Sequence, residues 1–209
     1  MKKLIYLTIA LSIAFTSYGQ YDPEALAILD AMSAKYKKIG AYQADFTYKM
    51  VNENVGINEE SQGTITIKNN KYLLKIAGQE IYNNGTETYS YSEEMGEVTI
   101  STYDPEEQEI TLGNIYDLYK SGFKYILMAK NASGDNIVEL DPIDKGKSYH
   151  KIRLVISSNN ELKQFTIFEK SGNQYVYSVD TFTPKSNISD DYFTFNTNKH
   201  PDVEVIDFR

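Results

Sequence analysis

Paired carboxylates are the groups in this chain of 209 residues best suited to chemistry, and they are densest at Glu93-Glu94, Asp104-Pro105-Glu106-Glu107 and Asp190-Asp191. Two carboxyl groups hydrolyse a glycosidic bond when burial raises the pKa of one while the other stays ionised. All three groups lie in loop-like segments, so solvated surface is the better reading. A nucleophile needs a base held against it. His150 and His200 are the only histidines, neither stands in a recognisable motif, and both read as surface or strand-end residues. The absence of cysteine excludes a thiol nucleophile, disulfides and a lipid attached through a cysteine. No clustered Cys or His offers zinc spacing, no acidic run has calcium-loop spacing, and no glycine motif cradles phosphate. These residues predict a protein that is not an enzyme and uses no metal and no cofactor.

The chain opens with the features of an export signal. Lys2 and Lys3 are followed by an apolar run, Leu4 to Phe15, and Ser17-Tyr18-Gly19 presents small residues where a signal peptidase reads them. The run is short for a membrane span, so cleavage is expected after Gly19, with an N-terminal anchor as the alternative. Residues 1–19 are then a secretory signal and 20–209 a single mature domain of 190 residues. Loss of Lys2 and Lys3 moves the formal charge from −8 to −10. Such acidity argues against nucleic acid or an anionic membrane as a bulk electrostatic partner and suits a monomer free in solution.

Asp22-Pro23-Glu24 is a helix start, with a capping carboxylate, proline at the first helical position and an acid at the positive helix end. Leu26, Leu29, Met32, Ser33, Tyr36 and Ile39 recur at helical spacing until Gly40 stops the run. The period then changes to two. In Tyr42–Met50, Tyr42, Ala44, Phe46, Tyr48 and Met50 share one side, and Gln43, Asp45, Thr47 and Lys49 share the other. Alternating runs follow at Ser61–Lys68 and Lys71–Ala77, around Ile81-Tyr82, and at Thr86–Ser92 and Glu97–Tyr103, joined by short Asn/Gly turns. After the acidic loop Asp104–Gly113, Asn114 is placed to cap a second short helix, Ile115–Lys120, that Gly122-Phe123 ends. Strands resume at Asn136–Leu140, Ser148–Ser157, Leu162–Glu169, Gln174–Thr183, Phe193–Phe195 and Val203–Ile206.

This pattern predicts a mainly β (α+β) protein: an antiparallel meander of about eleven strands with two helices. Sheets of that size curl or close, leaving a concave side for an amphipathic helix to cover. A concave face lined by Tyr, Ile, Leu and Phe encloses either a packed core or a cavity for an apolar ligand. Periodicity does not separate the two.

Ala44-Asp45-Phe46-Thr47, Gly63-Thr64-Ile65-Thr66-Ile67-Lys68 with Lys71-Tyr72, Asn84-Gly85-Thr86-Glu87-Thr88-Tyr89-Ser90-Tyr91, and Phe193-Thr194-Phe195 with Val203-Glu204-Val205-Ile206-Asp207 occur in the order seen in the outer-membrane lipoprotein carriers. Together with the leader and first helix, the chain resembles this LolA-like family over nearly its whole mature length. The resemblance implies an incomplete antiparallel β-barrel with a helical lid, located in the periplasm, whose cavity holds the acyl chains of a lipoprotein or lipid. It further implies an inner-membrane ATP-driven release complex as donor and an outer-membrane acceptor. Under this resemblance Tyr42, Phe46, Tyr48, Met50, Ile65, Ile67, Tyr72, Leu74, Tyr89, Tyr91 and Ile100 are candidate cavity wall, and Ile115, Leu118 and Tyr119 candidate lid. The carriers often have Arg-Pro where this chain has Asn69-Asn70, so the arginine linked in the family to lid closure is not matched. The implied alternative is a binding or sensor module of the same fold for another lipid or a protein partner.

Overall fold

The structure, a computed structural model, describes residues 21–105 and 110–209. The expected signal peptide and Glu106-Glu107 lie outside these residues. Helix α1 (Pro23–Ile39) begins as its sequence dictates. Asp22 Oδ1 accepts the Glu24 and Ala25 amides at 2.8 and 3.3 Å, Pro23 opens the first turn, and Gly40 closes the last with φ 71°. Asp22 Oδ2 also accepts the Leu127 amide at 2.9 Å, tying the helix start to a sheet edge. These three backbone bonds, the Leu127 one foremost, hold the Asp22 carboxyl below its ordinary pKa. Asp22→Ala is therefore expected to cost about 1–2 kcal/mol, read as a lower denaturant midpoint. Because the folded-state pKa is the lower one, the contribution is present above the ordinary carboxylate value and fades as pH falls through the folded value.

Among the described residues, twelve strands form one sheet: β1 (Ala41–Asn52), β2 (Ile57–Lys68), β3 (Lys71–Ile76), β4 (Gln79–Asn83), β5 (Glu87–Ser92), β6 (Glu97–Thr102), β7 (Phe123–Leu127), β8 (Asn136–Pro142), β9 (Tyr149–Ile156), β10 (Leu162–Glu169), β11 (Gln174–Pro184) and β12 (Glu204–Asp207). Their spatial order is β12-β6-β5-β4-β3-β2-β1-β11-β10-β9-β8-β7. The end strands β12 and β7 do not pair with each other, so the barrel is open. Two antiparallel meanders, β1–β6 and β7–β11, are stitched together by β1 against β11.

Three elements depart from the sequence expectation. Phe123–Leu127, of which the sequence reading uses only Phe123, as part of a helix stop, is strand β7, with Phe123 and Tyr125 buried inward. The expected helix Ile115–Lys120 is a run of turns ending in a single 3-10 turn, Leu118–Lys120. Six residues gain too few i→i−4 bonds to offset helix nucleation, and Thr111 and Asn114 accept the local amides instead. Phe193–Phe195 is not a strand: Asp190–Phe193 forms a 3-10 turn, and the chain returns to lay β12 parallel to β6.

The register explains one glycine. Gly63 on β2 lies opposite Phe46 on β1, and the Phe46 ring lies across it. A Cβ on Gly63 would meet Phe46 Cζ at 2.5 Å and the Lys75 carbonyl oxygen at 2.9 Å. The missing side chain is what lets Phe46 lie flat in the core.

Candidate functional site: the concave face and its cover

Cross-strand partners share a face, so the register assigns every strand's inner side. Tyr42, Phe46 and Tyr48 on β1 line up with Ile67, Gly63 and Ser61 on β2, and Ile65 and Ile67 with Leu74 and Tyr72 on β3. Across the other seam Tyr48 opposes Tyr177, which opposes Phe165, which opposes Leu154. Val138 and Leu140 on β8 continue the wall. Phe46, Ile65, Leu140, Ile152, Leu154 and Phe165 are at most 1% exposed. The wall from β3 through β1 to β7 is thus one apolar surface.

The sidedness reverses beyond β3. Leu74 opposes Ile81, Ile81 opposes Ser90, and Ser90 opposes Thr99, so the inner side of β5 and β6 carries Ser and Thr. Tyr89, Tyr91 and Ile100 point to the opposite face. They form a separate small core with Val98 and Phe195, covered by the segment leading to β12. They are not part of the concave wall, which corrects the expectation for these three residues. The candidates the structure does bring together are Tyr42, Phe46, Tyr48, Ile65, Ile67, Tyr72 and Leu74, with Ile115, Leu118 and Tyr119 from the cover. Met50 is half-buried toward the far end of β1.

The concave face is filled. Helix α1 supplies Ala25, Leu29 and Met32, each fully buried, and the segment Ile110–Tyr119 supplies Ile110, Leu112, Ile115, Tyr116 and Tyr119. Sequence reasoning missed Ile110, Leu112 and Tyr116, because a cover without regular structure has no periodicity to detect. The helix and the segment are latched by polar groups. Asp117 accepts Ser33 Oγ at 2.6 Å and pairs with Lys37 at 3.2 Å and with Lys120, while the Tyr119 hydroxyl donates to Asp30 at 2.5 Å. Burial pushes the Asp117 carboxyl up, but the bonds from Lys120, Ser33 and Lys37 outweigh it and hold the pKa below the ordinary value. The latch is complete above the ordinary carboxylate range and weakens as pH falls through the lowered value. Burial and the Asp30 bond push Tyr119 up to about 12.

Two clefts open at opposite ends of the packed centre. The first, about 460 Å³, lies where α1 ends, between Tyr36, Tyr42, Tyr72, Tyr103 and Tyr116. Its floor is closed: Tyr36 and Tyr116 stack at 3.7 Å, Tyr116 is hydrogen-bonded to Tyr36 and Tyr42, and the Leu162 amide donates to the Tyr36 hydroxyl at 3.2 Å. Burial raises the Tyr42 and Tyr116 pKa values well above the ordinary phenol. The second cleft, about 380 Å³, lies beneath Ile110 among Tyr48, Tyr149, Ile167, Tyr175 and Tyr177, with Lys147, Ser148 and Glu169 at its rim. A third and larger hollow of about 730 Å³ is polar and lies on the convex side by Asp45, Thr64, Lys75 and Glu80.

None of the carboxylate pairs forms an acid–base site among the described residues. Glu93 and Glu94 are exposed in a turn, and exposed Asp190 is held at about 2 by hydrogen bonds from Lys68 and Lys71. His150 is exposed, and the His200 ring stacks on Phe195 at 4.8 Å. No three His, Cys, Asp or Glu among the described residues are placed to hold a metal, and no described helix is long and apolar enough to cross a membrane.

An open sheet with a helix and a latched segment over its apolar concave face matches a known family. The profile described as "Outer membrane lipoprotein carrier protein LolA" matches residues 37–196. The chain belongs to the LolA family. Its architecture is that of an uncharacterized conserved protein from Thermus thermophilus, at TM-score 0.59 and 13% identity over 88% of this chain and 99% of that one. More distant in shape are the lipoprotein LppX of Mycobacterium tuberculosis, at TM-score 0.48 and 12% identity over 80% of this chain and 100% of that one, and a LolA superfamily protein of Nitrosomonas europaea, at TM-score 0.47 and 13% identity over 82% and 97%. No curated protein matches the sequence significantly. Family and fold together make this LolA-family chain a lipid or lipoprotein carrier fold with an open sheet, twelve-stranded among the described residues.

Proposed function

We propose that this protein is a soluble periplasmic carrier that takes the acyl chains of a lipoprotein against its concave wall and shuttles the lipoprotein from the inner to the outer membrane. In this reading it performs no covalent chemistry and needs no cofactor. The observation that carries it is the cover. Leu112 and Ile115 are 2% and 0% exposed and pack in one apolar cluster with the wall, yet they belong to a segment whose described residues form only one 3-10 turn of regular structure. Such a segment exchanges its own apolar contacts for those of an acyl chain, each buried methylene contributing about 0.8 kcal/mol. The exchange keeps net affinity moderate, as a carrier that must release its cargo requires. An ATP-driven release complex in the inner membrane would supply cargo, and an outer-membrane acceptor would receive it.

Titration of the mature chain with a fluorescent fatty acid, with mass spectrometry of co-purified lipid, tests the reading. Saturable binding is expected, and absence of any acyl binding refutes it. Ile115→Val is expected to lower stability by about 1 kcal/mol and, by making displacement of the segment easier, to tighten acyl binding up to about fivefold. Weaker binding in this variant would make Ile115 a ligand contact instead of a competitor.

A second reading is favoured by one observation. Lys68 and Lys71, flanking the Asn69-Asn70 turn, both pair with Asp190 at 2.7 and 2.9 Å, so these cations engage the C-terminal segment and leave the cover latched by other groups. Lid control then differs from the Arg-Pro carriers, as expected of a binding module for another lipid or a protein partner. Extraction of lipoproteins from inner-membrane vesicles by the purified chain decides between the two readings.

A further inference from the structure

We propose that acyl chains enter and leave through the cleft beneath Ile110, with the polar head of the lipid resting at the tyrosine rim formed by Tyr48, Tyr149 and Tyr175. This rests on the acyl-carrier reading above and adds a direction to it. The two ends of the concave face are closed in different ways. At the end where α1 terminates, the way in is blocked by stacked, hydrogen-bonded Tyr36 and Tyr116, by buried Tyr42, and by the latch of Asp117 to Ser33, Lys37 and Lys120. Opening there breaks the hydrogen bonds of buried Tyr116 to Tyr36 and Tyr42, each leaving a donor or acceptor without water, together with the half-exposed Asp117 latch. At the opposite end the cover over the wall, among the described residues, is the aliphatic side chain of Ile110, 9% exposed. Moving it breaks no side-chain hydrogen bond of its own, since isoleucine has none to make.

The chemistry of the rim matches an amphiphile. Tyr48, Tyr149, Tyr175 and Tyr177 are each partly buried and face the cleft. Their rings continue the apolar wall through Ile167 and Phe165, the latter stacked on Tyr177 at 4.5 Å. Tyrosine suits a boundary where one end of a ligand is apolar and the other wet. Lys147, Ser148 and Glu169 lie just outside and offer donors and acceptors to an ester, amide or carboxylate head. A chain threaded inward from this rim meets Leu112 and Ile115, the residues it must displace.

The sequence contains no tryptophan, so a single introduced one reports on its own surroundings. In the otherwise unaltered mature chain, Tyr175→Trp places the probe at the rim, and Tyr72→Trp places it in the cleft at the other end. Each is titrated with stearic acid brominated near the carboxyl group, a contact quencher. The expected result is loss of at least half the emission in Tyr175→Trp and less than a tenth in Tyr72→Trp. Tyr149→Trp, on a different strand of the rim, repeats the measurement should Tyr175→Trp fold poorly. Quenching confined to Tyr72→Trp would overturn the portal while leaving the carrier reading intact. Failure of the unaltered chain to bind the brominated acid in competition with a fluorescent one would overturn both.

Discussion

Phe46→Asp is expected to abolish the cooperative folded state at neutral pH. Phe46 is 1% exposed, sits in the middle of β1, and is surrounded by the inner residues of β2 and β11. The substitution removes the large transfer and packing contribution of a buried phenylalanine, about 3–5 kcal/mol for loss of the ring alone. It also places a carboxyl group where no described donor awaits it, adding at least the penalty of an unsatisfied buried polar group. The total is comparable to the ~5–15 kcal/mol by which a domain is stable. Circular dichroism against temperature should show no sharp transition. Burial would raise the pKa of the new carboxyl, so whatever folded population survives should grow as pH falls below that raised value and the group becomes neutral. A melting temperature within a few degrees of the parent would mean that the inner and outer faces of β1 have been assigned the wrong way round.

Gly63→Ala should destabilise by about 1–3 kcal/mol, although glycine to alanine in a strand interior ordinarily stabilises. The new Cβ would stand 2.5 Å from the Phe46 ring and 2.9 Å from the Lys75 carbonyl. The ring already packs beside Tyr177, 6.1 Å between centroids, and the carbonyl belongs to the β2–β3 ladder. The cost should depend on Phe46: in Phe46→Leu the part due to the ring disappears and the part due to the carbonyl stays. A double-mutant cycle read from denaturant midpoints is expected to give a coupling of at least about 1 kcal/mol. Additive effects within about 0.3 kcal/mol would show that Gly63 serves the backbone alone.

The helix was legible because its signals are local. Asp22, Pro23 and Gly40 act within one turn, and the structure uses each as the sequence predicts. Most strands were legible for the same reason, since alternation is a property of neighbouring residues. Strand β7 was missed because its five residues follow a glycine that also reads as a helix stop. The helix expected over Ile115–Lys120 does not form, because Ile115, Leu118 and Tyr119 share a side in a stretch too short to hold a helix without help.

For the candidate site, periodicity correctly grouped Tyr42 with Phe46 and Tyr48, and Tyr89 with Tyr91. It could not say that these groups face opposite sides of the sheet. Face is inherited strand by strand through the register, and here it passes from Leu74 to Ile81 to Ser90, where the inner row turns polar. The apolar rows of β5 and β6 consequently look outward and need the C-terminal segment to cover them, with Phe195 as the covering ring. The parallel docking of β12 on β6 has the same non-local origin, because nothing within Val203–Ile206 encodes which edge it will join.

The sequence by itself determined that this is a cysteine-free, mainly β chain with one capped helix, an apolar first strand and the ordered motifs of the LolA family. Those properties follow from residue chemistry and from spacing of two and 3.6. The tertiary structure alone decided which apolar rows meet, that Leu112 and Ile115 pack into the concave face, and that the Asp117 latch lies by one cleft and Ile110 by the other. These depend on contacts between residues about 30 to 130 positions apart, whose free energies are set by register and packing and leave no periodic trace in the chain.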